Sequence, residues 1–405
     1  MHILLIHQAF VGLDEAGGTR HIEMAHQLAS HGHKVTIITG TTSYLTGVKR
    51  QPGLGWKLIR QTEPGITVIH TWSYAALHKG FLHRLVSFFS FMMSSFLAGL
   101  QVRCVDVVWG TSPPIFQAFS AWLLSFLKRR PFLFEVRDLW PDFAVAMGVL
   151  KNPLLIRLSK WLERFLYRHA ERVVVNSPGY VQHVKIHGAR EVALVPNGVD
   201  ASMFDPAFDT TALREKYGLT GKFVLMYAGA HGPSNDLGVV VEAAALMQDN
   251  PEIQVVLVGD GKDKPALTAD VQKRGLKNVT FVGPVAKKEM KEMFSMADAC
   301  IAILKPIELY KTTYPNKVFD YMAAGRPVLL AIDGVIRKVV DDAQAGIFVP
   351  PGDAHAMAET MRYMTEHQAE MKQMGLSGYQ YVKEHFNRTR FTTRFEQLLW
   401  EMVEK

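Results

Sequence analysis

The densest group of residues able to do chemistry lies in residues 314–328, with the sequence YPNKVFDYMAAGRPV. Pro315 suits the start of a helix and Gly325 its end. Lys317 and Asp320 are three residues apart and therefore share a helix face. A helix N-terminus with a lysine can hold a diphosphate, and Asp320 can accept hydrogen bonds from both hydroxyls of a vicinal diol such as a ribose. The alternative is an ordinary surface ion pair.

Five shorter segments each follow or end an apolar run that we predict to be a buried strand. Ligands of open α/β sheets bind beyond the carboxyl ends of the strands, so these segments are the other places where a site can form. The segments are Gly17-Gly18-Thr19-Arg20, Arg137-Asp138-Leu139-Trp140-Pro141-Asp142, Val195-Pro196-Asn197-Gly198-Val199-Asp200, Gly229-Ala230-His231-Gly232 with Asn235 after it, and Gly259-Asp260-Gly261.

These segments differ in the chemistry that their residues suggest. The pair Gly17-Gly18 lets backbone amides approach an anion just before a helix, although a plain tight turn is the alternative. Arg137 and Asp138 form a charged pair that is costly to place in a core, unless it is a structural pair. Asn197-Gly198 is either a simple turn or part of a site at the join between domains.

The elements that must position these residues form two similar series. In each series short, wholly apolar runs alternate with helical patterns, which is typical of a parallel sheet covered on both faces. The second series opens near Phe223, after the polar stretch 200–222. We therefore predict an α/β protein with two Rossmann-like, doubly wound domains and a cleft between them. The expected boundaries are 1–205 with a C-terminal helix 388–405, and 206–387.

Length and composition limit the class of protein. The chain has 405 residues, of which 48% are hydrophobic and 20% charged, so disordered, collagen-like and coiled-coil classes are excluded. With Cys104 and Cys300 as its two cysteines, it has no disulfide framework and no cysteine-based zinc site. The N-terminal run MHILLIHQAF lacks the charged region and cleavage site of a signal peptide. We therefore expect a cytoplasmic protein.

The positive charge is confined to the first half of the chain. Residues 1–200 carry 21 Lys and Arg against 12 Asp and Glu, whereas the remainder carries 24 against 26. From Lys79 to Arg172 there are 13 basic and 6 acidic residues, including Lys128-Arg129-Arg130 and the stretch RLSKWLERFLYRHAER. Basic helices with aromatic anchors suit anionic lipid headgroups, although solvated helix faces are an alternative. Nucleic acid is disfavoured, because no reading motif accompanies the charge.

An uncharged stretch at 85–102 raises the question of a transmembrane helix. Small and polar residues recur in it at helical spacing, which predicts an amphipathic helix with a small-residue seam. A span would also interrupt the alternation of strands and helices. We therefore predict a helix of the core or of the membrane surface.

Taken in order, GGTR, PNGVD, GDG and KVFDYMAAGRPV resemble the motifs of retaining GT-B glycosyltransferases of family GT4, over essentially the whole chain. RDLWPD and PNKVFDYMAAGRP are similar to the bacterial branch that builds O-antigen or capsule polysaccharide, including N-acetyl-fucosamine transferases. The resemblance implies that the second domain binds a nucleotide sugar and the first the acceptor, and that the last helix packs on the first domain. It also implies transfer with retention and without a metal. No Asp-x-Asp triplet occurs in the sequence.

Several positions depart from the family pattern. The final motif of most members has two glutamates eight residues apart, where this chain has Thr312 and Asp320. An Arg and a Lys that normally bind the diphosphate align with Ala230 and Asn235, and the usual His before Asp138 aligns with Arg137. We hypothesise that positive charge has been relocated, so that Lys317 and Arg137 stabilise the leaving diphosphate.

The resemblance and the residues together give a full set of expected roles. We expect the amides of Gly18, His231 and Asn316 to complete an anion seat, and Asp320 to hold the ribose. The expected catalytic residues are Arg137, Asp138 and Lys317. The expected donor-binding residues are Gly17, Gly18, Asn197, His231, Asn235, Gly259, Asp260, Thr312, Pro315, Asn316 and Asp320. No metal is expected.

The expected reaction moves a sugar from a nucleoside-diphosphate sugar, UDP-linked by preference, to a lipid-linked glycan during surface polysaccharide synthesis. The expected partners are this donor, this acceptor and the anionic inner leaflet, on which the protein would be peripheral. Two alternatives stay open. One is a non-catalytic protein that binds sugar nucleotides or glycans in a polysaccharide assembly complex. The other is a GT-B sugar-nucleotide epimerase, although PNGVD favours transfer.

Overall fold

The computed structural model describes residues 1–42, 59–75 and 81–404, and this part of the chain divides into two compact units. The first unit contains Met1–Gly12, Gly18–Pro196 and Thr389–Lys405, and the second contains Leu13–Gly17 and Asn197–Arg388. The break therefore falls at Pro196 and Asn197 rather than near residue 205. The reason is that Asn197 Nδ2 donates to Tyr314 O at 2.7 Å, which ties this turn to the second unit.

The first unit is built on an eight-stranded sheet with the order β3-β4-β2-β1-β5-β6-β7-β8. All neighbouring strands are parallel except β3 and β4. Its strands are β1 His2–Ile6, β2 Lys34–Gly40, β3 Ile59–Glu63, β4 Ile66–Thr71, β5 Val107–Ser112, β6 Phe132–Val136, β7 Arg172–Val175 and β8 Val192–Leu194. Its helices up to the break are α1 Arg20–Ser30, α2 Phe81–Gln101, α3 Ile115–Lys128, α4 Asp142–Ala146, α5 Pro153–His169 and α6 Val181–Ile186.

The second unit contains a six-stranded, wholly parallel sheet with the order β11-β10-β9-β12-β13-β14. Its strands are β9 Phe223–Ala228, β10 Ile253–Val258, β11 Val279–Val282, β12 Ala299–Ile303, β13 Val328–Ala331 and β14 Gly346–Phe348. Its helices are α7 Thr211–Lys216, α8 Leu237–Ala245, α9 Lys264–Arg274, α10 Met290–Ser295, α11 Asn316–Ala323, α12 Val335–Asp342, α13 Ala354–Glu366 and α14 Gln368–His385. The strands β9, β10 and β12 are buried except for Ala228 at the end of β9, as their largely apolar sequences predict.

A final helix, α15 Arg388–Val403, completes the first unit. Phe395 of this helix is fully buried, and its ring centroid lies 4.6 Å from that of Trp109 in β5. Glu396 accepts hydrogen bonds from His31 at 2.6 Å and from His33 at 2.7 Å. The C-terminal segment is therefore part of the core of the first unit.

Strand β3 corrects the prediction of a wholly parallel sheet in the first half. It pairs antiparallel with β4, at the edge of the sheet. Its residues Arg60, Gln61, Thr62 and Glu63 are exposed, so the strand lacks the apolar run that marks a buried one.

Helix α2 covers the predicted amphipathic segment. Its small-residue seam is buried at Ser94 and Ala98, partly buried at Ser87 and Ser90 and exposed at Gln101. A methyl group at Gly99 would meet Leu124 of α3. The opposite face exposes the large apolar side chains of Val86, Phe89, Met93, Leu97 and Leu100. No helix in the described part of the chain is both long enough and apolar enough to cross a bilayer. Lys79, the first cation of the basic segment, lies outside the described residues.

Candidate functional site

A glycine-lined surface lies at the carboxyl ends of β9 and β10 in the second unit. Gly229 and Gly259 have φ angles of +154° and +135°, which side chains rarely adopt. A methyl group at Gly259 would also clash with the carbonyl oxygen of Gly229, and one at Gly261 would clash with the backbone of His231. The loops after β9 and β10 can therefore lie against each other because glycine, which has no side chain, stands at their points of contact.

Lys317 extends from the first turn of α11 to this glycine surface. Its Nζ donates to Tyr227 Oη at 2.8 Å and to Asn235 Oδ1 at 3.0 Å, and lies 4.1 Å from the centroid of the Tyr227 ring. No carboxylate within the described residues pairs with it. Burial lowers the pKa of Lys317 to about 7. The ammonium group is thus held by neutral partners and lacks a counter-ion, which an anionic ligand could supply.

Asp320 pairs with Lys287 rather than with Lys317. The Lys287 ammonium lies 2.7 Å from Asp320 Oδ1, and Lys287 has a side-chain exposure of 8%. The alternative of a surface ion pair between Lys317 and Asp320 is therefore wrong. Asp320 can accept hydrogen bonds from ribose hydroxyls either in addition to its contact with Lys287 or in exchange for it.

His231 is completely buried, and neither of its ring nitrogens forms a hydrogen bond within the described residues. Burial, with Lys264 adding to it, lowers the pKa of His231 to about 4, so the ring is neutral at pH 7. Its backbone N–H donates to Asp260 O at 2.8 Å. The expectation that this amide completes an anion seat is therefore wrong, because the amide already has an acceptor.

The remaining predicted residues of the second unit lie around α11 and in the adjoining loops. Asn316 has a buried Oδ1 without a hydrogen bond in the described chain, and Pro315 precedes it in an extended conformation. The Thr312 hydroxyl donates to Leu309 O at 2.6 Å. Asp260 Oδ1 accepts from the amide of Gly261 at 2.8 Å.

The loop Leu13–Gly17 belongs to the second unit although it follows the first strand of the first. Lys288 Nζ lies 2.6 Å from Asp14 Oδ1, and its backbone N–H donates to Leu13 O. Gly17 has a φ of +145°, but Gly18 has no left-handed φ and has open space where a Cβ would stand. We expected the backbone to require glycine at both positions, but it requires glycine only at Gly17.

In the first unit, buried polar groups gather around Glu135 at the end of β6. Glu135 Oε1 accepts from Arg20 Nε at 2.9 Å, and Oε2 lies 2.7 Å from His21 Nε2 and 3.1 Å from Trp109 Nε1. Burial by itself would raise the pKa of Glu135, but His21 and Arg20 outweigh it and hold this pKa well below its usual range. Glu135 is therefore ionised at neutral pH.

Arg20 connects this cluster to the segment that carries PNG. Its two terminal nitrogens donate to Pro196 O and to Val195 O, both at 2.8 Å. All three groups of the guanidinium thus have partners, which is what a buried arginine requires. The arginine of the GGTR segment therefore fixes the backbone just before Asn197.

Arg137 and Asp138 follow β6 directly and are partly buried. Arg137 donates to Pro113 O at 3.2 Å, and its Nε is buried without a hydrogen bond in the described chain. Burial raises the pKa of Asp138 to about 6, although Arg137 opposes the rise. This carboxyl group therefore changes its charge close to neutral pH.

Two family models match successive parts of the chain. A glycosyl transferase 4-like domain matches residues 17–198, and a model described as glycosyl transferases group 1 matches residues 222–367. WcaI of Escherichia coli strain K12, a glycosyl transferase assigned to colanic acid biosynthesis, is 26% identical over 313 residues. This match covers 75% of the present chain and 76% of that protein.

The chain belongs to the GT4 family of glycosyltransferases.

Solved structures agree in fold. Sucrose-phosphate synthase from Thermosynechococcus elongatus superposes with a TM-score of 0.79 at 19% identity and covers 100% of this chain and 99% of that one. HepE from Anabaena, in complex with UDP-glucose, gives 0.72 at 16% identity and covers 99% of this chain and 100% of that one. This chain thus has the GT-B fold. As a GT4 glycosyltransferase it transfers a sugar from a nucleotide sugar.

Some polar residues of this GT4 site gave no local signal in the sequence. Lys287 lies 33 positions before Asp320 in a pair of lysines that reads as a solvated surface, and Tyr227 reads as part of a buried strand. Their roles arise from contacts between distant segments. The buried Glu135 was also missed, because a lone glutamate inside the apolar run PFLFEV has no partner nearby in the sequence.

Proposed function

We propose that this glycosyltransferase uses a UDP-linked sugar and transfers it with retention, without a metal, to a lipid-linked glycan of a surface polysaccharide. The observation that carries the donor half of this proposal is the position of Lys317. Its ammonium lies 3.0 Å from Asn235 Oδ1, and Asn235 stands where the family resemblance places a diphosphate-binding lysine. Lys317 of α11 would therefore take the place of the diphosphate-binding lysine that the family resemblance places after β9 and that this chain lacks.

In the proposed reaction Lys317 stabilises the charge that develops on the departing diphosphate. Such a preorganised cation acts most strongly where charge appears in the transition state. The acceptor hydroxyl would lose its proton to the departing phosphate, so the chain needs no separate general base. Arg137 and Asp138 of the first unit are proposed as further catalytic residues.

Unpaired buried atoms support a donor site beside Lys317. The ring nitrogens of His231 and Oδ1 of Asn316 lack hydrogen bonds in the described chain, and buried polar groups without partners are costly. We assign them to polar groups of the bound nucleotide sugar, and Asp320 with Lys287 to the ribose hydroxyls. UDP is the proposed nucleotide because HepE, which shares the fold, binds UDP-glucose.

The acceptor half of the proposal rests on an apolar and basic surface of the first unit. The rings of Phe126, Trp122, Phe165 and Trp161 form an unbroken series along α3 and α5, with Phe126 68% and Trp161 61% exposed. Exposed cations surround this series, namely Arg129, Arg130, Arg157, Arg164 and Arg168. Exposed aromatics flanked by arginines suit the interface of an anionic bilayer.

One cation of the expected basic cluster has a structural role instead. Lys128 Nζ donates to Val102 O at 2.7 Å and so binds a carbonyl just after the end of α2. Arg129 and Arg130 remain exposed for lipid headgroups. Assignment of the relative WcaI to colanic acid biosynthesis supports a surface polysaccharide as the product. We therefore propose a peripheral enzyme on the inner face of the cell membrane.

The donor proposal is tested by Lys317→Ala in a transfer assay with a panel of nucleotide sugars. UDP-N-acetyl-fucosamine is the first donor to try, because of the RDLWPD and PNKVFDYMAAGRP motifs. We expect kcat/KM for the donor to fall by roughly 10²-fold or more. Lys311→Ala is the matched control, because Lys311 is an exposed lysine paired with Glu308 at 2.8 Å. An unchanged kcat/KM in Lys317→Ala would remove Lys317 from the reaction.

The same assay separates the proposal from its two alternatives. A non-catalytic binder would bind the donor without hydrolysing or transferring it. An epimerase would convert the donor into another nucleotide sugar without an acceptor. Transfer with retained anomeric configuration, measured by NMR in the presence of a chelator, is the result that we expect. Loss of transfer on chelation that Mg²⁺ or Mn²⁺ restores, and that zinc alone does not, would contradict the metal-independent part of the proposal.

A further inference from the structure

A group of metal-ligating side chains lies in the first unit, where α5 packs near α6. Glu163 of α5, His183 of α6 and His187 each place one ligand atom within 4.8 Å of the others. The two histidines are four residues apart, and their ring centroids are separated by 4.1 Å. This group has no part in the donor chemistry described above.

Glu163 is a carboxylate with an unsatisfied oxygen in the interior. Its side chain is 1% exposed, and Oε1 accepts from Tyr167 Oη at 3.1 Å and lies 3.1 Å from His183 Nε2. The other oxygen, Oε2, is buried and has no hydrogen bond within the described residues. A buried carboxylate is costly unless a cation or donors compensate it, so the free oxygen indicates a missing partner.

The ring of His187 has the orientation of a metal ligand. Its Nδ1 lies 2.8 Å from the carbonyl oxygen of His183. A carbonyl can only accept, so Nδ1 carries the proton and Nε2 of the neutral ring has a free lone pair. Histidine ligands commonly donate one ring N–H to a carbonyl or carboxylate while the other nitrogen binds the metal.

We propose that Glu163, His183 and His187 bind a zinc ion, with water in the fourth position. Two imidazoles and one carboxylate match the ligands that zinc takes in tetrahedral sites. Asp142 Oδ2 lies 4.0 Å from His183 Nδ1 and would be the outer partner that orients this ring. The ligand atoms lie within 4.8 Å of one another, and a bound zinc ion would draw them in to zinc–ligand distances of about 2 Å.

The proposed zinc ion would brace the segment that carries two of the proposed catalytic residues. Asp142 is the last residue of Arg137-Asp138-Leu139-Trp140-Pro141-Asp142, and it also pairs with Lys160 of α5 at 3.0 Å. Zinc would fix α5 and α6 to each other and, through Asp142, to this segment. The ion is proposed to brace these elements and not to act in the transfer, because none of its ligands has a part in that reaction.

The test measures zinc directly on the tag-free full chain. After treatment with a chelator and dialysis against zinc, elemental analysis is expected to give about one zinc per chain. Glu163→Gln combined with His187→Gln is expected to reduce this to less than about one tenth. Replacement of zinc by Co²⁺ in the wild type should give the visible absorption of a tetrahedral site.

His169→Gln is the matched control, because His169 is an exposed histidine on the same helix whose Nδ1 contacts Phe165 O. It should bind zinc like the wild type. Zinc should raise the Tm of the wild type and of this control but not of the double variant, whose fold is checked by circular dichroism. Absence of zinc from the wild type, or binding of as much zinc by the double variant as by the wild type, would overturn the proposal. The interaction between Glu163 and His183 would then be an ordinary side-chain contact. None of these readouts depends on transfer activity.

Discussion

At the scale of single residues, the role that we propose for Lys317 in donor binding depends on its charge state. A lysine with a pKa of about 7 is only about half protonated at neutral pH before the donor binds. Bound diphosphate favours the charged form and must raise this pKa. Donor binding and proton uptake are therefore coupled at this residue.

The coupling predicts how donor affinity depends on pH. Below pH 7 Lys317 is already charged, so donor affinity should not change with pH. Above pH 7 donor binding must take up a proton. Donor affinity should therefore fall as the pH rises toward the pKa of Lys317 in the complex. Both phosphates of a nucleotide sugar are esterified, so the ligand does not titrate near pH 7. Calorimetry at pH 8 in two buffers of different ionisation enthalpy should detect the uptake.

Lys317→Met is the control for this experiment, because it keeps the length of the side chain and removes the proton. The variant should bind the donor more weakly and show no buffer-dependent heat from this site. Equal proton uptake by wild type and variant would assign the effect to another group.

Glu135 gives a second prediction at this scale. Because its folded pKa lies below its ordinary value, it stabilises the first unit above the ordinary glutamate pKa, and this stabilisation is lost as pH falls. Glu135→Gln removes the carboxylate that pairs with the buried Arg20 and should lower the free energy of unfolding by about 3 kcal/mol at pH 7. Denaturant titration at pH 7 and below pH 4 measures the difference, which should shrink at the lower pH.

Glu191→Gln is the comparison for this change, because Glu191 is an exposed glutamate of the same unit. It should alter stability by no more than about 0.5 kcal/mol. If Glu135→Gln had an equally small effect, the Arg20–Glu135 pair would contribute nothing to the fold.

At the scale of elements, the sequence alone is sufficient to predict the strands that are buried on both faces. Runs such as ILLI and VVLV are wholly apolar, and each lies in a strand that is buried along its length. The edge strand β3 escaped prediction because IRQTE has little apolar character and its residues 60–63 are exposed on both faces. The placement of Lys317 at a helix start was predictable from Pro315, whereas its contact with Tyr227 required the pairing of α11 with β9 across 90 residues.

Helix α15 provides a prediction at this scale. Phe395 is fully buried against Trp109, so Phe395→Ala should destabilise the first unit by roughly 3 to 5 kcal/mol. Because each unit has its own sheet, we expect two unfolding transitions in calorimetry, of which the change should move only that of the first unit. Arg394→Ala, next to it on the exposed face, is the matched control. A shift in the other transition alone would contradict this assignment of α15.

At the scale of the whole molecule, positive charge is concentrated in the half that carries the exposed aromatic series. The first 200 residues have nine more basic than acidic residues, and the rest of the chain has two fewer. A surface that is both cationic and apolar should bind anionic bilayers with a strength that falls as salt rises. The charge total alone could not distinguish lipid from other polyanions.

Vesicle sedimentation tests this prediction. The protein should bind vesicles that contain phosphatidylglycerol more tightly than vesicles of phosphatidylcholine alone. Phe126→Ala combined with Trp161→Ala should weaken binding about 10-fold or more, because two large side chains no longer enter the interface. Leu246→Ala with Leu376→Ala, which removes exposed apolar side chains from the second unit, is the matched control. Equal binding by both double variants would place the lipid contact elsewhere.

The return of α15 to the first unit has a consequence for synthesis on the ribosome. The first unit ends at Pro196 but its core is completed only by residues after Arg388, so almost half of the chain must be translated in between. At about 5 to 20 residues per second this interval lasts roughly 10 to 40 s. During that time Trp109 lacks its contact with Phe395, and the second unit can fold before the first. The newborn enzyme is therefore most exposed to proteases and to chaperones in its N-terminal half, until the last helix emerges.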